Sequence, residues 1–197
     1  YAHNGTRVRK MHTSRRDAFK SINATPIAKI TSNGSVSFIS DVRKRDDSLE
    51  VCLDGGFDTK VAFIKAYPGM DPEILDFFID KGVHGILFEG TALGHLPVSQ
   101  EDYTLLPGIE RAVDEGVVLA MCTQCLYGSV HPYVYANLRE LSQRGVIYLR
   151  DMLPETALVK LMWTLGQYRD LEEVKRIMLT NLVGELTERT QHSDYLR

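Results

Sequence analysis

Apolar positions along the 197-residue chain follow two different rhythms. At the front, Gly5 to Met11 alternates as one strand does, and Ile27 to Thr31 and Val36 to Ile39 flank Ser32-Asn33-Gly34. Asn-Gly between two strand-like runs predicts a hairpin, because both residues tolerate the left-handed backbone of a tight turn. The stretch from His12 to Ser21 is polar and basic with neither period, and loop is expected there. One hairpin plus one strand buries too little to stand alone. From Asp41 to Lys60 charge and glycine dominate (Arg43-Lys44-Arg45, then Asp54-Gly55-Gly56), which marks a linker.

After Lys60 short apolar runs alternate with segments of helical period. Strands are expected at Val61–Ala66, Val83–Phe88 and Val117–Cys122, with a fourth beginning at Gly145. Helices are expected from Asp71 through Ile79, Tyr103 to Glu115, Val134 to Arg144, Pro154 through Trp163, and Leu171 to Asn181. Asp71 ahead of Pro72 is a good start signal, an acceptor for free N–H groups followed by a preset φ. Strands apolar throughout, alternating with helices, describe a parallel sheet covered on both faces. The predicted fold is α/β, with a β segment and linker at 1–58 and a four-stranded parallel domain at 59–197.

Composition narrows the class of protein. With 44% hydrophobic and 25% charged residues, wholesale disorder is excluded. Lys plus Arg is 23 against 26 Asp plus Glu, a net charge of −3, which gives no global excess for gripping bare nucleic acid. No apolar run reaches the roughly 18 to 20 residues of a membrane helix. Tyr1 to Val8 has neither an initiator Met nor a signal-peptide pattern. Three cysteines, an odd number in a chain that needs no staples, point to a reducing, cytoplasmic setting. The expectation is a cytoplasmic chain that is part of a longer protein.

In open parallel sheets ligands gather where strands end at their carboxyl edge. That rule nominates Tyr67-Pro68-Gly69, the Glu89–His95 segment and Thr123-Gln124-Cys125. Gly90 and Gly94 would let a ligand approach the backbone, while Glu89, Thr91 and His95 offer polar contacts. The competing reading is that these glycines only shape a turn. Cys122 and Cys125 have the spacing of a redox or zinc pair. However, only Cys52 remains as a further thiol, and Cys122 falls at the buried end of a strand, so packing is favoured. His3, His12, His84, His131 and His192 are expected to be solvated or turn residues. Lys10 ends the first strand on the Val8 side, where desolvation would lower its pKa and suit proton transfer. A lysine merely snorkelling at a strand end is the bland alternative.

Several stretches together carry a family resemblance: Arg7 to Asn23, Tyr67 to Met70, Gly90 to His95, Thr123-Gln124-Cys125, Asp151 to Leu161 and Thr180 to Thr187. In order and over nearly the whole chain, these resemble the end of the larger domain and the smaller C-terminal domain of the asparaginase/glutaminase superfamily. Within it, His12–Asn23 and Met152 to Ala157 are most similar to the D subunits of archaeal Glu-tRNA(Gln) amidotransferases. The resemblance implies amide hydrolysis through a threonine nucleophile, with a second threonine, an aspartate and a lysine handling protons. Ammonia from glutamine would pass to the amidotransferase's E subunit, which uses ATP and Mg; no cofactor is implied for this chain. It also implies a homodimer through the asparaginase-like domains, Glu-tRNA(Gln) held mainly by the partner subunit, and no membrane.

The family's lysine falls on Lys10. The threonines and aspartate belong to Thr-Gly-Gly-Thr and Gly-Thr-Asp-Thr motifs that do not occur here, so the nucleophile would lie upstream of Tyr1. Leu93 stands where secreted asparaginases carry an Asn. Glu89 stands near where type I enzymes carry an allosteric Arg, although Thr123 and Cys125 match that enzyme. The alternatives are a type I asparaginase and, in another class, a non-catalytic dimerisation scaffold.

Overall fold

A computed structural model of the chain describes residues 1–98 and 103–189. The element order places a short 3-10 turn, Gly5–Arg7, before β1 (Val8–Lys10), β2 (Phe19–Ser21), β3 (Ala28–Ile30) and β4 (Val36–Phe38). Asn4 caps the 3-10 turn by accepting from the Thr6 N–H, so Gly5 to Met11 is not the single strand its alternation suggests.

The stretch expected to be loop supplies a strand. Phe19–Ser21 pairs antiparallel with β1, Val8 opposite Ser21 and Lys10 opposite Phe19, while Met11 to Ala18 forms the connection. Ala18 and Ile22 flank that strand and are buried, whereas Phe19 and Lys20 are exposed. The apolar signal therefore sits at its two ends, where period counting misses it. The second hairpin is as expected, with Ala28–Ile30 on Val36–Phe38. Asn33 accepts from the Ser35 N–H and Gly34 takes φ 85°, closing a five-residue connection.

The larger unit is a four-stranded parallel sheet in the order β5 (Val61–Lys65), β6 (Gly85–Gly90), β7 (Val118–Thr123), β8 (Ile147–Tyr148). Its helices are α1 (Glu73–Asp80), α2 (Leu106–Asp114), α3 (Ala136–Gln143), α4 (Pro154–Gln167) and α5 (Leu171–Met178). Asp71 accepts from the Glu73 N–H and Asp170 from the Glu173 N–H, so acidic caps open α1 and α5. The helix at Tyr103 begins only at Leu106, and α4 runs past Trp163 to Gln167.

Every residue of β6 and β7 is buried, which is why those strands show no alternation. Ile86, Phe88, Leu119 and Met121 pack with Leu75, Ile109 and Leu138 on one face. Leu87, Ala120 and Cys122 pack with Ala157, Leu161 and Val174 on the other. The end of the linker lies along α4: Trp163 Nε1 donates to Asp54 O, and Gln167 Nε2 to Gly56 O. A Cβ at Gly166 would sit 2.4 Å from Gly56 O, so this approach requires glycine there. None of the described helices is long and apolar enough to cross a membrane.

Candidate functional site at the carboxyl edge of the sheet

Because the strands run in consecutive order, this sheet has no point where the order reverses, the usual place for a ligand crevice. Around β6 to β8 the carboxyl edge is instead covered by its own loops. After β6 the chain makes a tight turn from Thr91 to His95, in which Gly94 N and His95 N both donate to Thr91 O. Thr123 Oγ1 donates to Ala92 O at 2.6 Å and accepts from the Cys125 N–H. Tyr148 Oη donates to Gly94 O, and Asn137 Nδ2 to His95 Nδ1. Gln124 fastens the neighbouring loop, donating through Nε2 to Ala66 O and Glu89 O.

Packing explains why positions 90 and 94 are glycine. A Cβ on Gly90 would lie 2.7 Å from Met121 Sδ, and one on Gly94, at φ 98°, would lie 2.8 Å from Tyr148 Cε1. The glycines are needed because β7 and β8 side chains fill that space. Glu89 is buried and paired with Lys65 Nζ at 3.0 Å. Thr91 is exposed, and half-buried His95 lies against the Tyr135 ring at 5.3 Å. An open cleft of about 500 Å³ beside β5 is lined by Phe63, Lys65, Tyr67, Phe78, Thr91 and Gln124.

Lys10 lies on a different element, and the structure places it differently from expectation. It is exposed at the tip of β1, and the buried basic residue of this front segment is Arg7. Strict alternation through Val8 would point Arg7 away from the Val8 side. The 3-10 turn instead rotates it into the joint with the parallel domain, where it donates to Asp151 O, Asp151 Oδ2 and Gly184 O. Nothing in the local sequence pattern signals this pairing, since Asp151 is 144 residues away. A larger cleft of about 960 Å³ opens between the front hairpins and Tyr127, lined also by His3, Phe19 and Lys20.

The front segment and the carboxyl edge meet around Cys122. Burial pushes the Cys122 thiol well above its ordinary range, the nearby carboxylates of Glu89 and Glu155 add to this, and Arg9 opposes. Cys122 is fully buried and donates to Phe88 O, whereas Cys125 and Cys52 are exposed. A thiol reagent at pH 8 should therefore titrate Cys52 and Cys125 in the folded chain and reach Cys122 only on unfolding. Equal labelling of all three thiols, or an oxidised Cys122–Cys125 pair, would contradict this. Among the described residues no group of three or more His, Cys, Asp or Glu side chains is placed to hold a metal. His192 lies outside the described residues.

A profile of the glutaminase/asparaginase C-terminal domain matches residues 60–178, and one of the asparaginase N-terminal domain matches residues 1–43. The chain belongs to the glutaminase/asparaginase family. Over its full length it is 55% identical to the D subunit of the glutamyl-tRNA(Gln) amidotransferase of Pyrococcus horikoshii, covering 44% of that protein. The corresponding D subunit of Pyrococcus furiosus is 56% identical over 99% of this chain and 43% of its own length. Among solved structures, the thermostable L-asparaginase from Thermococcus kodakarensis superposes with a TM-score of 0.83 at 36% identity, over 94% of this chain and 54% of that one. The chain thus spans less than half the length of these amidotransferase subunits.

Proposed function

We propose that the polypeptide carrying this chain hydrolyses the side-chain amide of glutamine and supplies the ammonia for converting Glu-tRNA(Gln) to Gln-tRNA(Gln) in the cytoplasm. The observation that carries this reading is the 55% identity, over the whole chain, to the D subunit of an archaeal amidotransferase. The threonine nucleophile, its partner threonine and the aspartate lie upstream of Tyr1 in this reading, and Lys10 completes the proton-handling set. The partner, the amidotransferase's E subunit, consumes ATP, with Mg as cofactor, to activate the glutamate and binds most of the tRNA, and the asparaginase-like domains form a homodimer. Glu89, Gly90, Thr91, Gly94 and His95 then form a structured rim, with Thr91 and His95 the members left open to a substrate or a neighbouring protomer.

The likeness to an L-asparaginase fold supports a second reading, hydrolysis of free asparagine without tRNA. Ammonia release from glutamine and from asparagine by the full-length protein, with and without the partner subunit, ATP, Mg and Glu-tRNA(Gln), separates the two. Glutamine hydrolysis stimulated by the complete set is expected. Asparagine hydrolysis indifferent to it would favour the second reading. The 197-residue chain alone should release no ammonia, because loss of a nucleophile from a cooperating set costs on the order of a million-fold. Turnover by the chain alone would sink the placement of the nucleophile upstream.

A further inference from the structure

β1 and β2 pair over only three residues each, and such a ribbon does not fix its own position in water. Its tip, with Lys10 and Phe19, is exposed, while its root is bound to the parallel domain. Arg7, fully buried, makes its three hydrogen bonds to Asp151 and Gly184 at 2.8–3.1 Å. Both Asp151 carboxylate oxygens are also held, Oδ1 by the Thr187 N–H and Oδ2 by Thr187 Oγ1. Just beyond β2, Asn23, at φ 51°, donates to Gly128 O and Asp151 O and accepts from the Gly128 N–H. Thr156 Oγ1 donates to Thr6 O, and Ile22 N to Arg7 O.

We infer that Asp151, acting through Arg7, is a positioning residue that sets where Lys10 stands in the reaction. Lys10 lies three residues beyond Arg7, about 10 Å along an extended strand, so a tilt at the root is carried to the tip. A charge-assisted pair with every oxygen engaged is the rigid element available to suppress that tilt. The parallel domain, which lacks the reaction's threonines in this reading, thereby takes part in the chemistry by fixing the lysine's ribbon. The inference rests on the role proposed above for Lys10.

The test uses the full-length protein with Asp151→Asn, which keeps the shape and removes the charge facing Arg7. Misplacement by about 1 Å can cost a hundredfold, so kcat for glutamine hydrolysis should fall about 10- to 100-fold. KM should stay within about threefold, as a loss confined to the chemical step requires. The acylation rate of Lys10 by an amine reagent, read by mass spectrometry, should change in the same variant. If Asp151→Asn does not fold, Thr187→Val, which takes one hydrogen bond from Asp151 Oδ2 and so loosens the carboxylate that holds Arg7, replaces it, and kcat should then fall several-fold with KM held. A folded variant with unchanged kcat and unchanged Lys10 acylation overturns the inference. Lys10→Met in the same protein separates the two levels. If it loses kcat while Asp151→Asn keeps it, only the joint fails; if it keeps kcat, the role of Lys10 fails and the inference with it.

Discussion

Glu185→Gln should lower the melting temperature of this chain by about 6–20 °C. Lys160, on α4, is nearly fully buried and donates to Glu185 Oε1 at 2.6 Å, to Thr180 O at 2.6 Å and to Met178 O at 3.3 Å. Glu185 in turn accepts from the Leu182 and Val183 N–H groups, so one carboxylate holds the loop after α5 against α4. Removing one partner of a buried ion pair costs about 3–5 kcal/mol, because the other charge is left without compensation. In a chain of this size each kcal/mol moves the midpoint by about 2–4 °C. Burial alone would raise the Glu185 carboxyl, but the Lys160 hydrogen bond and the two loop N–H groups outweigh it and hold it below the ordinary carboxylate range. Its contribution is therefore present above that range and lost as pH falls through the depressed folded value. Burial lowers the Lys160 ammonium, with Glu185 opposing, so the variant should regain stability towards alkaline pH as the ammonium loses its proton. Thermal melts across pH check both limbs. A midpoint unchanged within about 2 °C at pH 7 would show that the pair adds nothing. The double variant Lys160→Met, Glu185→Leu should lose less than the single one, since no charge is left stranded.

How much of this was legible in the sequence depended on whether the signal was local. The Asp71 and Asp170 caps, the Asn33-Gly34 turn and the uniformly apolar β6 and β7 are decided by near neighbours, and they fold as their residues dictate. β2 was illegible because its own three residues are exposed or half-buried, and the chain that holds it, Val8–Lys10, lies across a loop. At the candidate site, Glu89 to His95 fell on the edge the topology rule names. However, the rule says nothing about side-chain packing, and that Met121 and Tyr148 fill the Cβ directions of Gly90 and Gly94 shows only in the fold. Arg7–Asp151 and Lys160–Glu185 could not have been paired from sequence, because each partner alone looks like an ordinary surface charge. Buried ion pairs are compensated by a residue distant in the chain, and only the tertiary fold shows which.

Lys10→Met in the full-length protein should reduce kcat for glutamine hydrolysis by at least about a hundredfold and leave the melting temperature nearly unchanged. A threonine hydroxyl is a poor nucleophile until a base takes its proton, and general acid–base steps commonly contribute about 10²–10⁴-fold. A lysine serves as that base only when its amine is partly neutral, which needs desolvation. In this chain Lys10 is exposed at the end of β1, so the desolvation would have to come from residues that precede Tyr1 in the proposed longer protein. That exposure also makes the stability side of the prediction sharp. Lys10 buries little here, so methionine, with a similar length and an apolar stem, removes the proton carrier without opening a cavity in the described structure. The neighbouring Arg9–Glu155 pair, half-exposed at 2.9 Å, supplies the control. Arg9→Met removes an adjacent positive charge and a surface ion pair, which should cost no more than about 1 kcal/mol and leave most of kcat intact. Loss of activity in both variants would mean that net positive charge at the ribbon matters rather than the lysine amine. Retention of most of kcat in Lys10→Met would leave Lys10 a solvated strand end, and the general base would have to be sought among residues upstream.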